Sequence, residues 1–578
     1  MKKMGKVAAL LTALCMALPT ALPAAAENTV EVKDLYKSED TEASWKDGEV
    51  QNIDVSALNG AAYEITSEGT YMLSGKGTGQ IVITVSEKED VRLILNGVDL
   101  TSNEGPAIYE KQADKLIVTL AEGSENVLKD GAAVTDEDDT IGAALYAEDD
   151  LSINGQGSLT ANGTAKHGIQ SKADLIIAGG TITVNALNDG IRGRNSVLVL
   201  DGTLTVNCGG DGIVSTREDK EGKGWVLIAG GELSLTTGTG AGTKTVSKSG
   251  RGGGRGQGFM TETASSSDSG TSSKGIKAAT DVTVTDGVLS LNTEDDGLHA
   301  VNVTIYGGTI SISSGDDGIH ADTDAVIWNG TIAIAQCYEG LEGTNVTIHG
   351  GTVTIVSSDD GINAAGGKDS SGMGGRGNDR FSGSGNSGML QINGGQVEVT
   401  ASGDALDSNG SISITGGVTG VWAASSMGEG AIDFTGSGTI TGGLLIITSV
   451  NGVMQDTAML TGAPLISVPV NGNGKAGETL TVTADGNTGT YTPVQAYDTL
   501  LIAGAGLQEG TALTVSSGKE TLFSGTVSSD MIGTGSSAVN GFNRGRGSGF
   551  DRGFGRGMNG DPNSGMERGF GGKRGGQR

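Results

Sequence analysis

Acidic residues recur in this chain at a spacing that would stack them. Asp189, Asp211, Asp296, Asp317, Glu339 and Asp360 each precede a glycine that is followed by Ile or Leu, and Asp295, Asp316 and Asp359 place a second acid before three of them. The glycines fall at Gly168, Gly190 and Gly212, then at Gly275, Gly297, Gly318, Gly340 and Gly361; the steps are 22 and 22, then 22, 21, 22 and 21. If each period is one turn of a solenoid, the carboxylates line up about 4.8 Å apart. Like charges at that separation repel by roughly 1 kcal/mol in water and by more near a protein surface. Repetition over consecutive turns therefore favours a counter-ion, and oxygen ligands from successive turns suit Ca²⁺. Asp295, Asp296, Asp316, Asp317, Glu339, Asp359 and Asp360 are the expected ligands. The plain alternative is that Asp-Gly is a good turn former and the side chains point into water.

Two further columns could do chemistry. Two residues past each glycine stand Arg192, Lys277, His299, His320, Glu342 and Asn363. His299 and His320 fall on adjacent turns and, with Glu342, could ligate a metal or hydrogen-bond a sugar. Zinc wants close tetrahedral ligation, and the spacing supplies no further nitrogen or sulfur ligand, so an exposed polar face is the plainer expectation. Tyr306, Trp328 and His349 end a strand just before the turn glycine in three consecutive units. A sugar chain can stack on such a row, or the rings can stack on one another for about 0.5–1.5 kcal/mol per contact.

The elements that must position these residues are short strands. Apolar and polar residues alternate, as in Thr309-Ile310-Ser311-Ile312, and pairs such as Gly307-Gly308 and Gly350-Gly351 punctuate them. Three strands and three corners per period predict an all-β right-handed parallel β-helix. Leucine-rich repeats would need a helical segment, and a propeller blade about twice the period. Ile191, Ile213, Ile276, Leu298, Ile319, Leu341 and Ile362 form the expected core ladder.

Composition narrows the function. The chain has 578 residues, 101 Gly, 7 Pro and a net charge of −30. Glycine without a G-X-Y period excludes collagen. The acidic balance argues against nucleic acid. Residues 1–26 read as a secretory signal, with Lys2, Lys3 and Lys6 before a short apolar run and Ala24-Ala25-Ala26 as the cleavage site. No segment is expected to span a membrane. The remaining divisions are a polar leader at 27–59, the β-helix at 60–459 with Gly/Arg-rich mobile insertions at 238–273 and 366–387, a β-rich cap at 460–535 and a basic Gly/Arg tail at 536–578. The tail could touch an anionic cell-wall polymer. Cys208 and Cys337 are too few for a disulfide framework and read as buried free thiols.

Four segments carry a resemblance: GTYMLSGKGTGQIVITV (69–85), LILNGVDLTSNEGPAIY (93–109), ADKLIVTLAEGSENVLKDG (113–131) and GGTITVNALNDGIRGRNSV (179–197), together with the later DDGI units. Over residues 60–450 the chain resembles the secreted carbohydrate-binding β-helix proteins of cellulolytic clostridia. The resemblance implies a pectate-lyase-like fold, bound calcium, and affinity for cellulose and acidic polymers such as polygalacturonate. The insertions and tail are not part of that pattern. A lyase could use Arg192 or Arg194 as base, and a hydrolase could use paired Asp carboxylates. A catalytic constellation should break the repeat, whereas the Asp pairs follow it. The expectation is therefore a secreted, calcium-holding monomer that binds plant cell-wall polysaccharide without cleaving it, with Tyr306, Trp328, His349, His299, His320 and Arg192 touching the glycan. A lyase or hydrolase and a structural adhesin without sugar ligand are the alternatives.

Overall fold

The computed structural model describes residues 31–136, 139–242, 272–365, 388–424, 430–453, 456–470 and 474–533. The segment read as a signal, the basic tail, most of the first insertion and all of the second lie outside the described residues.

One coil consists of strands Ile191–Gly193, Ser196–Val199 and Thr203–Cys208. None pairs with its sequence neighbour. Each runs parallel to its equivalent one coil on, in Ile213–Ser215, Trp225–Ile228 and Glu232–Thr237. The chain thus winds as a parallel β-helix with three sheets along its length. In three coils the first two strands fuse, as Leu298–Ile305, Ile319–Ile327 and Leu341–Ile348, with a register shift where the corner falls.

Pairing places Ile169, Ile191, Ile213, Ile276, Leu298, Ile319, Leu341, Ile362, Leu406 and Ile432 in one continuous file. All are buried. The glycine before the first eight is a matter of space, whereas Ala405 and Ala431 precede Leu406 and Ile432. A Cβ on Gly190 would sit 2.3 Å from Val206 Cγ1, and one on Gly297 2.7 Å from Ile312 Cγ2. The corner passes too close to the third sheet's core residues for a side chain. The last glycine of each turn has a different reason: Gly308, Gly330 and Gly351 hold φ of 89°, 114° and 84°.

The helix begins earlier than expected. Val50–Asp54 pairs with Gly69–Thr78, inside the segment read as leader. The preceding residues are a strap on the outside of the second sheet. Val32 and Tyr36 pack on outward-facing Ile176, Leu198 and Leu227. Asp40 is fully buried and takes Lys115 Nζ at 2.7 Å and the Ser152 hydroxyl, while the Arg92 guanidinium donates to the Glu42 carbonyl at 2.7 Å. The strap escaped the sequence reading because it carries no periodicity of its own; the sheet it covers supplies the order.

At the far end, Gly438–Val450 pairs antiparallel with Thr499–Gly504. A four-stranded antiparallel sheet, Leu480–Ala484, Asn487–Tyr491, Ala512–Ser517 and Glu520–Thr526, follows with its own apolar core. Antiparallel pairing covers the open edge that a solenoid would otherwise present. Cys208 and Cys337 are free and buried.

Two outcomes follow from buried acids. Asp40→Ala leaves Lys115 buried without that carboxylate and should destabilise by about 3–5 kcal/mol in denaturant unfolding; a loss under 1 kcal/mol would mean the strap is not docked. Glu110 is fully buried, with Oε1 unbonded and Oε2 accepting from the Asp149 N–H at 3.1 Å. Burial raises its carboxyl from 4.5 to about 8. The folded state keeps a proton that the unfolded chain releases, so this contribution is fully present below pH 4.5 and is lost as pH rises toward 8. Glu110→Gln should remove up to about 1.4 kcal/mol per pH unit of that slope in melting curves.

Candidate functional site

The corner that presents the acidic residues is shaped by the end of the third sheet. Thr293 Oγ1, Ser314 Oγ and Ser357 Oγ donate to the carbonyls of Asp295, Asp316 and Asp359 at 2.8, 3.1 and 3.1 Å. Cys208 Sγ occupies the same place, 3.3 Å from the Gly210 carbonyl. The chain is thereby turned so that the next residue, an Asp in most coils, faces along the solenoid.

That Asp does not point into water, and it is not bare. Oδ1 of each accepts the backbone N–H of its counterpart one coil on: Asp189 from Asp211 at 3.2 Å, Asp211 from Lys274 at 2.9 Å, Asp296 from Asp317 and Asp317 from Glu339 at 3.1 Å, and Asp360 from Asp404 at 2.6 Å. Asp189, Asp211, Asp296, Asp317 and Asp404 are all buried. Glu339, one methylene longer, turns its carboxylate to Asn363 Nδ2 at 2.9 Å instead. The column is first a backbone-satisfying ladder, which sets aside the alternative of solvated turns.

The second carboxylate oxygen meets the polar column, which lies beside the ladder in the first sheet. Arg192 donates to Asp189 Oδ2 at 2.7 Å, Lys277 stands 3.7 Å from Asp211, and His299 Nδ1 lies 2.9 Å from Asp296 Oδ2. Lys274 is buried between Asp295 and Asp296, 3.1 and 2.5 Å from their Oδ2 atoms. The like-charge repulsion foreseen from the sequence is thus relieved in these coils by the chain's own cations. Burial opposes charge on Asp296, but Lys274, His299 and His320 outweigh it and hold its carboxyl well below the ordinary range. Glu339 goes the other way: burial and the neighbouring Glu342 push it well up.

The structure gathers some of the expected ligands and separates others. Oxygens of Asp295, Asp296 and Asp316 come within 4.8 Å of one another. Asp317 joins His320 and Glu342 within the same limit. Asp359 and Asp360 lie one coil further on and are half-buried. A third convergence was missed: Asp404, Asp407 and Asp433, from adjacent coils, also within 4.8 Å. The sequence carried the signal, since Asp404 precedes the looser repeat Ala405-Leu406 and Asp407 takes the polar-column position.

The polar column is not an ordinary exposed face. His320 is fully buried and Asn363 nearly so. The register extends it in both directions, from Tyr109 and Tyr146 through Gln170, Arg192, Val214, Lys277, His299, His320, Glu342 and Asn363 to Asp407 and Asp433. It grades from aromatic through cationic to acidic. Tyr306, Trp328 and His349 do form a row, but they stack on one another. Trp328 and His349 lie 3.8 Å apart at 9°, and Tyr306 and Trp328 lie 6.4 Å apart at 2°. The faces that Trp328 and His349 turn to each other are closed to a sugar.

A parallel β-helix with a graded polar file along one sheet is the class that fold and site define. Residues 59–318 and 301–377 match the model of the carbohydrate-binding domain-containing proteins, and the chain belongs to that family. A carbohydrate-binding domain-containing protein of Acetivibrio thermocellus is 37% identical over 139 residues, 23% of this chain and 49% of that one; the chain thus spans about half the length of this curated relative. A solved polysaccharide lyase-like protein from C. thermocellum, a gadolinium derivative, aligns at 25% identity over 50% of this chain and 96% of its own, with a TM-score of 0.34.

The ladder predicts a contrast between two substitutions. Asp189→Ala strips the buried Asp211 N–H of its acceptor and should cost at least about 1–3 kcal/mol. Asp189→Asn keeps the oxygen and should cost clearly less, as read by urea unfolding. Equal losses would place the value of Asp189 in its charge to Arg192 and not in the ladder.

Proposed function

We propose that the protein is secreted and binds an acidic plant cell-wall polysaccharide of the polygalacturonate kind with the help of calcium, and does not cleave it. The observation that carries this reading is the convergence of Asp404, Asp407 and Asp433 at the acidic end of the polar file. The donor set is oxygen only and comes from adjacent coils, which fits the flexible, oxygen-rich coordination of Ca²⁺. Calcium bound there supplies the positive charge that lets an acidic polymer approach a chain of net charge −30. Family membership supports carbohydrate as the ligand class.

The chain's own residues suit holding better than cutting. Arg192, which a lyase would use as base, is pinned to Asp189 at 2.7 Å. The Asp pairs that a hydrolase would use have an oxygen each engaged by backbone in Asp296, Asp317 and Asp360. Arg192 and His299 keep side-chain exposures of 30% and 16%, enough to donate to sugar hydroxyls or carboxylates while their carboxylate partners orient them.

The mature protein should be retained on polygalacturonate with calcium and released at least tenfold by a chelator, with retention restored by added calcium. Asp407→Asn combined with Asp433→Asn should abolish the calcium dependence. Retention indifferent to chelator would remove calcium from the reading. A protein-dependent rise in ultraviolet absorbance for unsaturated ends, or in reducing sugar, would make the protein an enzyme.

A further inference from the structure

We propose that Trp45, Lys46 and Arg92, where the strap reaches the first strand, form a subsite for one uronate residue that works without calcium. The proposal rests on the acidic polysaccharide put forward above as ligand, but not on the cluster of Asp404, Asp407 and Asp433. Trp45 and Lys46 also precede residue 59, where the family match begins.

The strap follows one outward-facing column of the second sheet, which runs from Leu227 through Leu198, Ile176 and Ser152 to Arg92 and Thr70. Val32 and Tyr36 cover the apolar part, and Asp40 takes the Ser152 hydroxyl. At Arg92 the contact changes to main chain. Nη1 donates to the Glu42 carbonyl at 2.7 Å and to Thr119 Oγ1 at 2.8 Å, and Nη2 donates to the Glu39 carbonyl at 3.4 Å. Past this point a cleft of about 260 Å³ opens, lined by Ser44, Trp45, Lys46 and Glu49 from the strap and by Thr70 and Arg92 from the sheet. Pockets for drug-sized ligands measure about 300–1,000 Å³, so this cleft suits a single sugar ring with the rest of a polymer outside it.

Charge at the cleft asks for a carboxylate. All three acceptors of Arg92 are uncharged oxygens, and its Nε–H and one Nη2–H have no partner among the described residues. The nearest acids are engaged elsewhere: Glu39 with Lys37 and Lys115 at 3.4 and 3.7 Å, and Glu42 with the Ser44 N–H at 3.1 Å. A half-buried guanidinium without a carboxylate on it is a charge left to be neutralised, and its edge can hold a carboxylate through two parallel bonds. Lys46 adds a second cation. Its Nζ stands 3.8 Å from Glu49 Oε1 with both side chains largely exposed, a loose pair that costs little to break. Trp45 supplies the flat face. It is half-buried, yet among the described residues it stacks on no ring, joins no apolar cluster and gives its ring N–H to no acceptor. Trp328 has one face closed by His349, whereas the indole of Trp45 is available to a sugar ring.

The test is calorimetric titration of the mature protein with trigalacturonate in excess EDTA, with uncharged cellotriose as the control. Trigalacturonate should bind at least about tenfold more tightly than cellotriose, through its charge-assisted bonds to Arg92 and Lys46, and should weaken as salt is raised. Trp45→Ala should weaken it by about fivefold and Lys46→Gln by about twofold, with the circular dichroism of the β-helix unchanged. The chelator keeps the two readings apart: binding in EDTA reports the cleft, and whatever added calcium contributes reports the acid cluster. No trigalacturonate binding in EDTA, equal binding of cellotriose, or unchanged affinity in both variants would overturn the subsite, and calcium-dependent retention on polygalacturonate would then stand or fall by itself.

Discussion

The structure depends on one interaction repeated along the solenoid: the carboxylate of a corner Asp accepting the backbone N–H of the same corner one coil later. A corner is where a β-helix has the most trouble satisfying its main chain, because the strands on either side point their donors along the axis while the turn itself does not. Asp211 and Asp317 are buried, so an unmet N–H there would carry a full desolvation cost. Asp is the residue whose side chain is short enough to reach back and whose charge strengthens the bond. With the corner fixed, glycine is fixed after it in the coils of Gly190 and Gly297, which leave no room for a Cβ. Register then becomes rigid, and every other column inherits it.

A rigid register turns the design of a surface into the choice of a column. Residues that share this register stand in file from Tyr109 to Asp433, and their chemistry drifts along it. The early coils hold a buried edge-to-face pair, Tyr109 and Tyr146, 5.4 Å apart. The middle coils place Arg192, Lys277 and His299 against the carboxylate ladder, which lets buried charge exist at tolerable cost. The late coils continue with Glu342, Asn363, Asp407 and Asp433.

Much of this was legible in the sequence, for a physical reason. Strand pairing in a β-helix is set by period, so the steps of 21 and 22 residues dictated which side chains share a column, and the aliphatic file, the histidine pair and the aromatic row all fall where that arithmetic places them. Orientation was not legible. The spacing of Asp296 and Asp317 is the same whether their carboxylates face water, an ion or a neighbouring N–H, and only burial separates these cases. The aromatic row shows the same limit: Trp328 and His349 share a column on either reading, but a 3.8 Å stack closes one face of each to a sugar. The strap was illegible for another reason. Asp40 has no periodicity, and its partners Lys115 and Ser152 lie 75 and 112 residues away.

The double duty of the ladder shapes how function can be built on this fold. An Asp that satisfies backbone with one oxygen has a single oxygen left for a cation, a histidine or an ion. In the coils of Asp189 and Asp296 that oxygen is taken by Arg192 and by Lys274 with His299. The chemistry left for a ligand therefore falls to the neighbouring file, whose residues carry no main-chain duty and are free to change from coil to coil. His299, Glu342, Asp407 and Asp433 all belong to that file. The solenoid in this way separates the residues that satisfy its main chain from those that can vary, one file beside the other, and substitutions that probe recognition belong in the second file, where the corner bonds survive them.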